Sequence, residues 1–232
     1  MIIRAKFTKL EELKYISHLD LMRLFQRAFR RANIPVKYSE GFNPHPQFSL
    51  ATALALGVSS DGEYMDVELD AQICPEEFAR RMNDVLPNGI KIIKAVSLDN
   101  KSSIVPLIRW SAYIIGFRVK ETMTSEQINN EIDNFLSKDE LVLTKEKKKG
   151  KKVTIKQYNV RDRIKELFLL SNEDGEIILK TTLMTGSQGN IKPGEVVELL
   201  EKYTKIELEE YSLKIHRLEL FIEDDGGISL PI

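Results

Sequence analysis

The 232-residue sequence has a single cysteine, Cys74, and no long run of apolar residues. One cysteine excludes an intrachain disulfide, and it excludes a zinc or iron–sulfur site built from several cysteines of this chain. A membrane-spanning helix needs about 18 or more consecutive apolar residues, and the charged first residues do not match the apolar stretch of a secretory signal. We therefore expect a cytoplasmic protein with no membrane partner, no metal and no cofactor.

The motifs of common catalytic sites are also missing. The sequence has no H-E-x-x-H, G-x-S-x-G or paired-cysteine motif, so it gives no support for zinc chemistry or for a serine hydrolase. The glycine loops of Walker and Rossmann nucleotide sites are missing as well. These absences favour a non-catalytic protein.

Basic and acidic residues nearly balance, with 34 Lys or Arg against 35 Asp or Glu, but they are unevenly distributed. Residues 13–40 contain six basic and two acidic side chains, and residues 141–165 contain ten basic and two acidic ones. Basic segments within an otherwise acidic chain indicate a surface that binds a polyanion.

Hydrophobic periodicity predicts the element order β-α-β-β-α-β twice along the chain. The segments 36–39 and 48–56 are predicted to be extended. Capping patterns and first-turn prolines predict four helices, which begin at Ser17, Pro75, Thr124 and Pro193.

This repeated order predicts an α+β fold of two tandem ferredoxin-like modules with antiparallel sheets. The predicted N-terminal module spans residues 1–98, and a polar linker follows at 99–108. The predicted C-terminal module spans residues 109–232 and contains a basic insertion at 145–161.

The first helix carries a row of arginines on the side opposite its apolar residues. Arg23, Arg27 and Arg30 lie at positions i, i+4 and i+7, and Arg31 borders them. Guanidinium groups at this spacing can bind consecutive phosphates, each with two hydrogen bonds. The alternative is an ordinary solvated helix face.

A second candidate is the loop that follows the first helix, composed of Gly41, Phe42, Asn43, Pro44, His45 and Pro46. Two prolines restrict the backbone on either side of His45. An imidazole held in this way could act as a general base, stack on a nucleobase or donate to a phosphate. His18 is the other candidate catalytic residue. The alternative is a simple turn with Phe42 and Phe48 buried beneath it.

The second half offers further phosphate-binding candidates. The basic run contributes Lys147, Lys148, Lys149, Lys151 and Lys152, although such a run is also typical of a disordered loop. Arg161 follows it and could line the same surface or bond only to its neighbours. A glycine-containing turn before a predicted helix start could bind an anion or could simply connect two elements; its candidates are Gly186, Ser187, Gly189 and Lys192.

Two blocks, Tyr15–Arg23 and Gly41–Pro46, resemble the bacterial radical-SAM-linked family of uncharacterised proteins. The likeness extends to Phe25–Ala28, Tyr158–Arg161 and Thr185–Ser187. Members occur as free proteins or joined to the C-terminal side of a B12-binding radical SAM enzyme, so the resemblance implies such an enzyme as a partner. Because this chain lacks the cysteine triad of an iron–sulfur cluster, it resembles the appended module.

The element order is also similar to that of the RAMP superfamily, which includes CRISPR repeat-RNA endonucleases with tandem ferredoxin-like modules. Those nucleases carry a glycine-rich loop between their last helix and last strand, whereas residues 204–211 contain no glycine. This difference argues against nuclease activity.

We therefore expect a non-catalytic, RNA-binding accessory module that presents structured RNA, such as tRNA or rRNA, to a radical SAM enzyme. One alternative is a metal-independent ribonuclease that uses His18 or His45 as general base. The other is a protein–protein scaffold in which the arginine row binds an acidic partner.

Overall fold

The structure is a computed structural model that describes residues 1–98, 103–149, 152–224 and 227–232. The first four residues of the predicted linker, 99–102, and Lys151 lie outside these residues. The described chain is a mixed α+β fold with four α-helices and mostly antiparallel strands, which confirms the predicted class. Contacts divide it into two units, Met1–Trp110 with His216–Ile232, and Ser111–Ile215. The predicted boundaries differ from this division by placing His216–Ile232 in the second module.

The elements follow in chain order. The first stretch contains β1 (Ile2–Lys9), α1 (His18–Arg31), β2 (Phe48–Leu50), β3 (Ser59–Glu68), α2 (Pro75–Asn83) and β4 (Ile92–Leu98). The rest contains β5 (Ile108–Arg118), α3 (Ser125–Leu136), β6 (Val142–Lys149), β7 (Lys152–Asn159), β8 (Ile164–Glu173), β9 (Glu176–Met184), α4 (Pro193–Tyr203), β10 (Lys214–Asp224) and β11 (Gly227–Ser229). None of the described helices is long and apolar enough to span a membrane.

Helix α1 begins where its sequence predicts. The Ser17 hydroxyl accepts a hydrogen bond from the backbone N–H of Asp20 at 3.1 Å, which satisfies one of the unpaired donors of the first turn. Its apolar side packs on the sheet through Leu21, Phe25, Ala28 and Phe29. The opposite side is therefore left to the arginines.

In the first unit, β1 pairs antiparallel with both β3 and β4. Strand β2 pairs antiparallel with one end of β3, where Phe48 opposes Val67, and β10 pairs in parallel with the other end at Ser59 and Ser60. The backbone of β10 occupies the space that a side chain at Gly62 would need, since a Cβ there would come within 2.6 Å of the Glu219 Cα. Glycine is thus required for β3 and β10 to approach each other.

Two predicted strands are shorter than expected. The segment 36–39 makes only isolated bridges, from Val36 to Leu69 and from Tyr38 to Pro46. The strand predicted at 48–56 ends at Leu50. Two residues further on, the Thr52 hydroxyl accepts a hydrogen bond from the buried Arg217 at 2.9 Å, a contact that the alternating pattern does not predict.

Charged side chains are buried in pairs in the first unit. Arg4 donates two hydrogen bonds to Asp66, at 2.7 and 3.0 Å, with both side chains less than 10% exposed. Asp66 also accepts from the backbone N–H of Ile104 at 2.8 Å. Arg217 forms a second buried pair with Glu63 at 2.8 Å. Burying a charge is costly unless it is paired and hydrogen-bonded, so these pairs restrict how the strands can align.

In the second unit, β9 lies between β5 and β8, and β8 pairs antiparallel with β9. Thr124 and Gln127 form the predicted capping box of α3, each side chain accepting from the other residue's backbone N–H. Strands β6 and β7 form a separate two-stranded antiparallel ribbon. This ribbon lies between α3 and β8, where the sequence predicts a basic insertion.

Replacing Asp66 by Ala should lower the free energy of unfolding by about 3–5 kcal/mol, because it leaves the Arg4 guanidinium buried without its carboxylate. Urea denaturation followed by circular dichroism measures this change. Asp70→Ala is the matched control, since Asp70 is exposed and should change stability by less than about 0.5 kcal/mol. Equal effects of the two variants would contradict a structural role for the Arg4–Asp66 pair.

Tyr64 should ionise only at strongly alkaline pH. Burial, followed by the nearby charge of Glu219, raises the pKa of its phenol, which donates to Glu219 at 2.8 Å. The folded pKa lies above the unfolded value of about 10, so this stabilisation is complete below pH 10 and is lost as the pH rises further. The stability advantage of the wild type over Tyr64→Phe should therefore shrink above pH 10. A constant difference between pH 8 and 11 would contradict this assignment.

Candidate nucleic-acid interface

The arginine row on α1 is exposed to solvent. The side chains of Arg23, Arg27, Arg30 and Arg31 are all exposed. The Nε of Arg27 lies 3.3 Å from the carbonyl of Arg23 in the same helix, and that of Arg30 lies 3.4 Å from the carbonyl of Gln26. Within the residues that the structure describes, no carboxylate pairs with Arg27, Arg30 or Arg31. Their charges remain available to an external anion.

Arg23 differs from the other three because it has an acidic neighbour. Its guanidinium donates to Asp20 at 3.1 Å, with side chains 67% and 53% exposed. Hydrogen bonds from Ser17 and then from Arg23 lower the pKa of Asp20, so this carboxylate stays ionised at neutral pH. Exposed ion pairs contribute little to stability, and a phosphate can therefore compete with Asp20 for Arg23.

A groove of about 480 Å³ lies beside the row, between α1 and the segment after α2. Arg27 and Arg31 line one wall, and the other wall is mostly apolar, formed by Val85, Leu86 and Pro87. Asp84 also lines the groove, but it already pairs with Arg80 at 3.1 Å. The groove therefore combines two unpaired guanidinium groups with an acid that another arginine neutralises.

The two arginines at the end of α2 are engaged within the protein. Both bind Glu77, Arg80 at 2.9 Å and Arg81 at 2.7 Å. These hydrogen bonds lower the pKa of Glu77 to about 2. Arg80 and Arg81 therefore contribute less free charge to the surface than the α1 arginines do.

The loop of residues 40–47 is fixed through its backbone. The N–H of His45 donates to the Ser39 hydroxyl at 3.0 Å, and the N–H of Ser39 donates to the His45 carbonyl at 2.9 Å. The N–H of Gln47 donates to the Lys37 carbonyl at 2.7 Å. Gly41 has a φ of +118°, which favours glycine at this bend. The loop is thus held at both ends.

The loop does not bury its aromatic side chain. Phe42 is fully exposed, whereas Phe48 packs against α1 with its ring centroid 5.1 Å from that of Phe29. The interpretation of the loop as a turn with both rings beneath it therefore fails at Phe42. His45 is exposed as well, and no described residue forms a hydrogen bond with its imidazole.

The two candidate catalytic histidines belong to opposite ends of β3. Lys9 opposes Ser60 and donates to the Ile16 carbonyl at 3.0 Å, so the residues before His18 lie at one end. Gln47 accepts from the N–H of Glu68 at 2.9 Å, so the residues after His45 lie at the other. These attachment points are eight strand residues apart, or about 26 Å. The segments that carry His18 and His45 are therefore attached to opposite ends of β3.

The basic run forms part of the β6–β7 ribbon. Lys149 opposes Lys152 and Lys145 opposes Lys156 along the ladder. Lys147, Lys148 and Lys149 belong to β6 and Lys152 to β7, whereas Lys151 lies outside the described residues. The described part of the run is thus a β-ribbon.

The turn before α4 is occupied by the protein's own carboxylate. Glu195 accepts a hydrogen bond from the Lys192 N–H at 2.9 Å and pairs with Lys145 at 2.7 Å. A carboxylate in the first turn of a helix takes the place that an external anion would use. Gly186 and Ser187 are not buried, and a Cβ on Gly189 would collide with the Met184 sulfur. This geometry favours a connecting turn over an anion site.

Arg161 bonds to backbone groups of the second unit. Its guanidinium donates to the carbonyls of Leu136 at 2.8 Å and Ile164 at 3.1 Å. Leu136 ends α3, where a cation is stabilised by the helix dipole and by the unpaired carbonyls. Arg161 therefore connects α3 to β8.

Two polar clusters escaped the sequence reasoning. His216 accepts or donates at both ring nitrogens, with Ser59 at 2.8 Å and Asp61 at 3.0 Å. Lys9 is buried near Glu63 and Arg217, and burial lowers its pKa. Each cluster contains residues that are more than 150 positions apart in the chain. Only the pairing of β3 with β10 brings them together, so no local signal could have found them. Among the described residues, no group of three or more metal-ligating side chains is clustered.

The comparisons with known proteins identify a family without a known activity. Residues 3–193 match the family described as "Uncharacterized protein conserved in bacteria (DUF2344)". The chain belongs to this family. Its description contains no ligand and no reaction, so it adds no functional residue to those above. No curated protein matches the chain.

The chain is similar to one chain of a solved structure titled "Crystal Structure of a Cbf5-Nop10-Gar1 Complex". The TM-score is 0.51 at 8% sequence identity, over 96% of this chain and 50% of that chain. This chain therefore spans about half the length of the one it matches. At this identity the similarity shows a shared fold and no shared activity.

Proposed function

We propose that this protein is a non-catalytic RNA-binding module whose main phosphate-binding surface is the outer face of α1. The observation that carries the proposal is the set of exposed guanidinium groups on Arg27, Arg30 and Arg31, none of which pairs with a carboxylate of the described chain. A phosphate backbone supplies anions at regular spacing, and guanidinium groups bind phosphate with two parallel hydrogen bonds.

The fold supports this proposal because it places the acids elsewhere. Asp66 and Glu63 form buried ion pairs with arginines, and Glu77 is bound by the arginines of α2. Among the described residues, Asp20 pairs with the α1 row through Arg23, and Asp84, which lines the groove beside Arg27 and Arg31, is already bound by Arg80. The chain has almost no net charge, yet this helix face is strongly positive. Local charge of this kind attracts a polyanion over roughly a Debye length.

We further propose that the two units are ferredoxin-like modules. In the first unit the element order is β-α-β-β-α-β, with β4 and β3 on either side of β1 and with β2 beside β3. In the second unit β5, α3, β8, β9 and α4 follow in the same order, with β9 between β5 and β8. The β6–β7 ribbon is then an insertion, and its lysine-rich sequence is an accessory contact for RNA.

The proposed partner is a cytoplasmic radical SAM enzyme, to which the module presents structured RNA such as tRNA or rRNA. This part of the proposal rests on the sequence blocks Tyr15–Arg23 and Gly41–Pro46. The first block contains the start of the arginine row and the second contains the exposed loop, so both blocks of the resemblance fall on the proposed interface. Pull-down of the radical SAM enzyme from the source bacterium in the presence and absence of ribonuclease tests it.

The double variant Arg27→Ala, Arg30→Ala should bind RNA more weakly and with less dependence on salt. Each lost phosphate contact lowers the slope of log K against log salt by about 0.7 to 0.9, so two lost contacts lower it by about 1.5. Fluorescence anisotropy of a labelled tRNA, measured between about 50 and 300 mM salt, gives both the affinity and the slope.

The matched control is Arg80→Ala. Arg80 is an exposed arginine of the same unit, but Glu77 and Asp84 already neutralise it. Its removal frees Asp84 beside the groove, so the affinity should fall slightly, whereas the salt slope, which reports lost phosphate contacts, should stay unchanged. An identical loss in this variant would show that only total charge matters, and an unchanged slope in the double variant would overturn the assignment of α1.

Asp20→Asn should strengthen RNA binding. It removes the anion that competes for Arg23, while the amide oxygen can still accept from the Ser17 hydroxyl that now bonds to Asp20 at 2.7 Å. One exposed charge at about 4 Å contributes about 1 kcal/mol in water, so the gain should not exceed about fivefold. The same anisotropy titration measures it. Weaker binding by this variant would place the phosphates away from Arg23.

The same samples distinguish the two alternatives. Labelled RNA that stays intact in EDTA during the titration is the expected result. Cleavage that is lost in His45→Ala or His18→Ala would instead establish a metal-independent ribonuclease. Failure to bind RNA at low salt, in a protein purified without nucleic acid, would favour the protein–protein scaffold.

A further inference from the structure

The loop of residues 40–47 presents an aromatic side chain that the fold does not use. Phe42 is the most exposed large apolar residue among those that the structure describes. The other phenylalanine of this segment, Phe48, is half-buried and contacts the rings of Phe25 and Phe29. An exposed aromatic ring gains nothing from folding, whereas it can contribute a large apolar surface to a ligand.

Phe42 belongs to a loop whose backbone is held by hydrogen bonds. Its ends are joined by reciprocal hydrogen bonds between Ser39 and His45, and the bridge from Tyr38 to Pro46 closes it further. Pro44 restricts the rotation of the backbone between these points. Because the backbone is already ordered, a ligand that stacks on Phe42 would not have to order the loop first.

The same loop is attached to the helix that carries the arginines. Phe48, six residues after Phe42, packs on the buried side of α1 at Phe25 and Phe29. The chain between α1 and the loop is held on the end of β3, where the N–H of Lys37 donates to the Glu68 carbonyl at 2.8 Å. The exposed ring and the cationic helix face therefore belong to one packed unit.

We propose that Phe42 stacks on an unpaired nucleobase of the RNA whose phosphates bind α1. This inference rests on the proposed function and defines its substrate class as RNA with a single-stranded segment, such as a loop or an end. Every nucleobase offers a flat face for stacking, and single strands are recognised in this way, whereas the bases of a duplex are already stacked within it. The exposed imidazole of His45, three residues later in the same loop, is a second flat surface.

The test compares a single-stranded and a duplex RNA of the same length in the anisotropy assay. Phe42→Ala should weaken binding of the single strand by about tenfold, a loss within the range measured for base–aromatic contacts. It should leave duplex binding and the salt slope unchanged, because no phosphate contact is removed. Phe42→Trp should restore the affinity for the single strand, since any aromatic ring can stack.

Tyr211→Ala is the control, because Tyr211 is the other nearly fully exposed aromatic residue and lies in the second unit. It should have no effect on either RNA. If Arg27→Ala, Arg30→Ala weakens binding but Phe42→Ala does not, the stacking site is wrong and the function of α1 stands. If Phe42→Ala weakens single-strand and duplex binding equally, the loop is a general contact and the substrate class is wrong. If no RNA binds the wild-type protein, the proposed function itself fails.

Discussion

The structure depends on the buried pairing of charges between distant strands. Two buried pairs, Arg4 with Asp66 and Glu63 with Arg217, connect β1, β3 and β10 across the sheet of the first unit, together with the partly buried pair of Lys6 and Glu219. A shift of one residue in any of these strands would leave a charge buried without its partner, which costs several kcal/mol. The ion pairs therefore fix the strand register, and they hold residues after His216 in the same unit as the N-terminal strands.

This arrangement explains how a nearly neutral chain exposes a cationic helix. Each buried pair combines one acidic with one basic residue. On the surface of α2, Glu77 pairs with Arg80 and Arg81. Helix α1 has one acidic residue, Asp20, at its first turn, where a negative charge also stabilises the helix dipole. Arg23, Arg27, Arg30 and Arg31 follow it over about two and a half turns. The local excess of charge thus comes from where the acids are placed and not from their number.

The sequence predicts most of the helices because their ends are determined locally. Ser17, Thr124 and Pro193 each precede or begin a helix at the expected residue, since capping depends on a few neighbouring groups. The contacts of His216 with Ser59 and Asp61 depend on residues far away in the chain, and periodicity contains no information about them. The arginine row could be predicted for a similar reason as the helices, because helical spacing alone places its members on one face.

The exposed loop shows where local reasoning stops. The prolines around His45 predict a rigid turn, and the backbone hydrogen bonds with Ser39 agree with it. They do not predict which of Phe42 and Phe48 lies inward, because both flank the turn symmetrically. That choice is made by α1, since only Phe48 reaches the rings of Phe25 and Phe29 when β2 pairs with β3. The packing that buries Phe48 therefore leaves Phe42 facing solvent. It also attaches the loop that carries Phe42 to the helix that carries the positive charge.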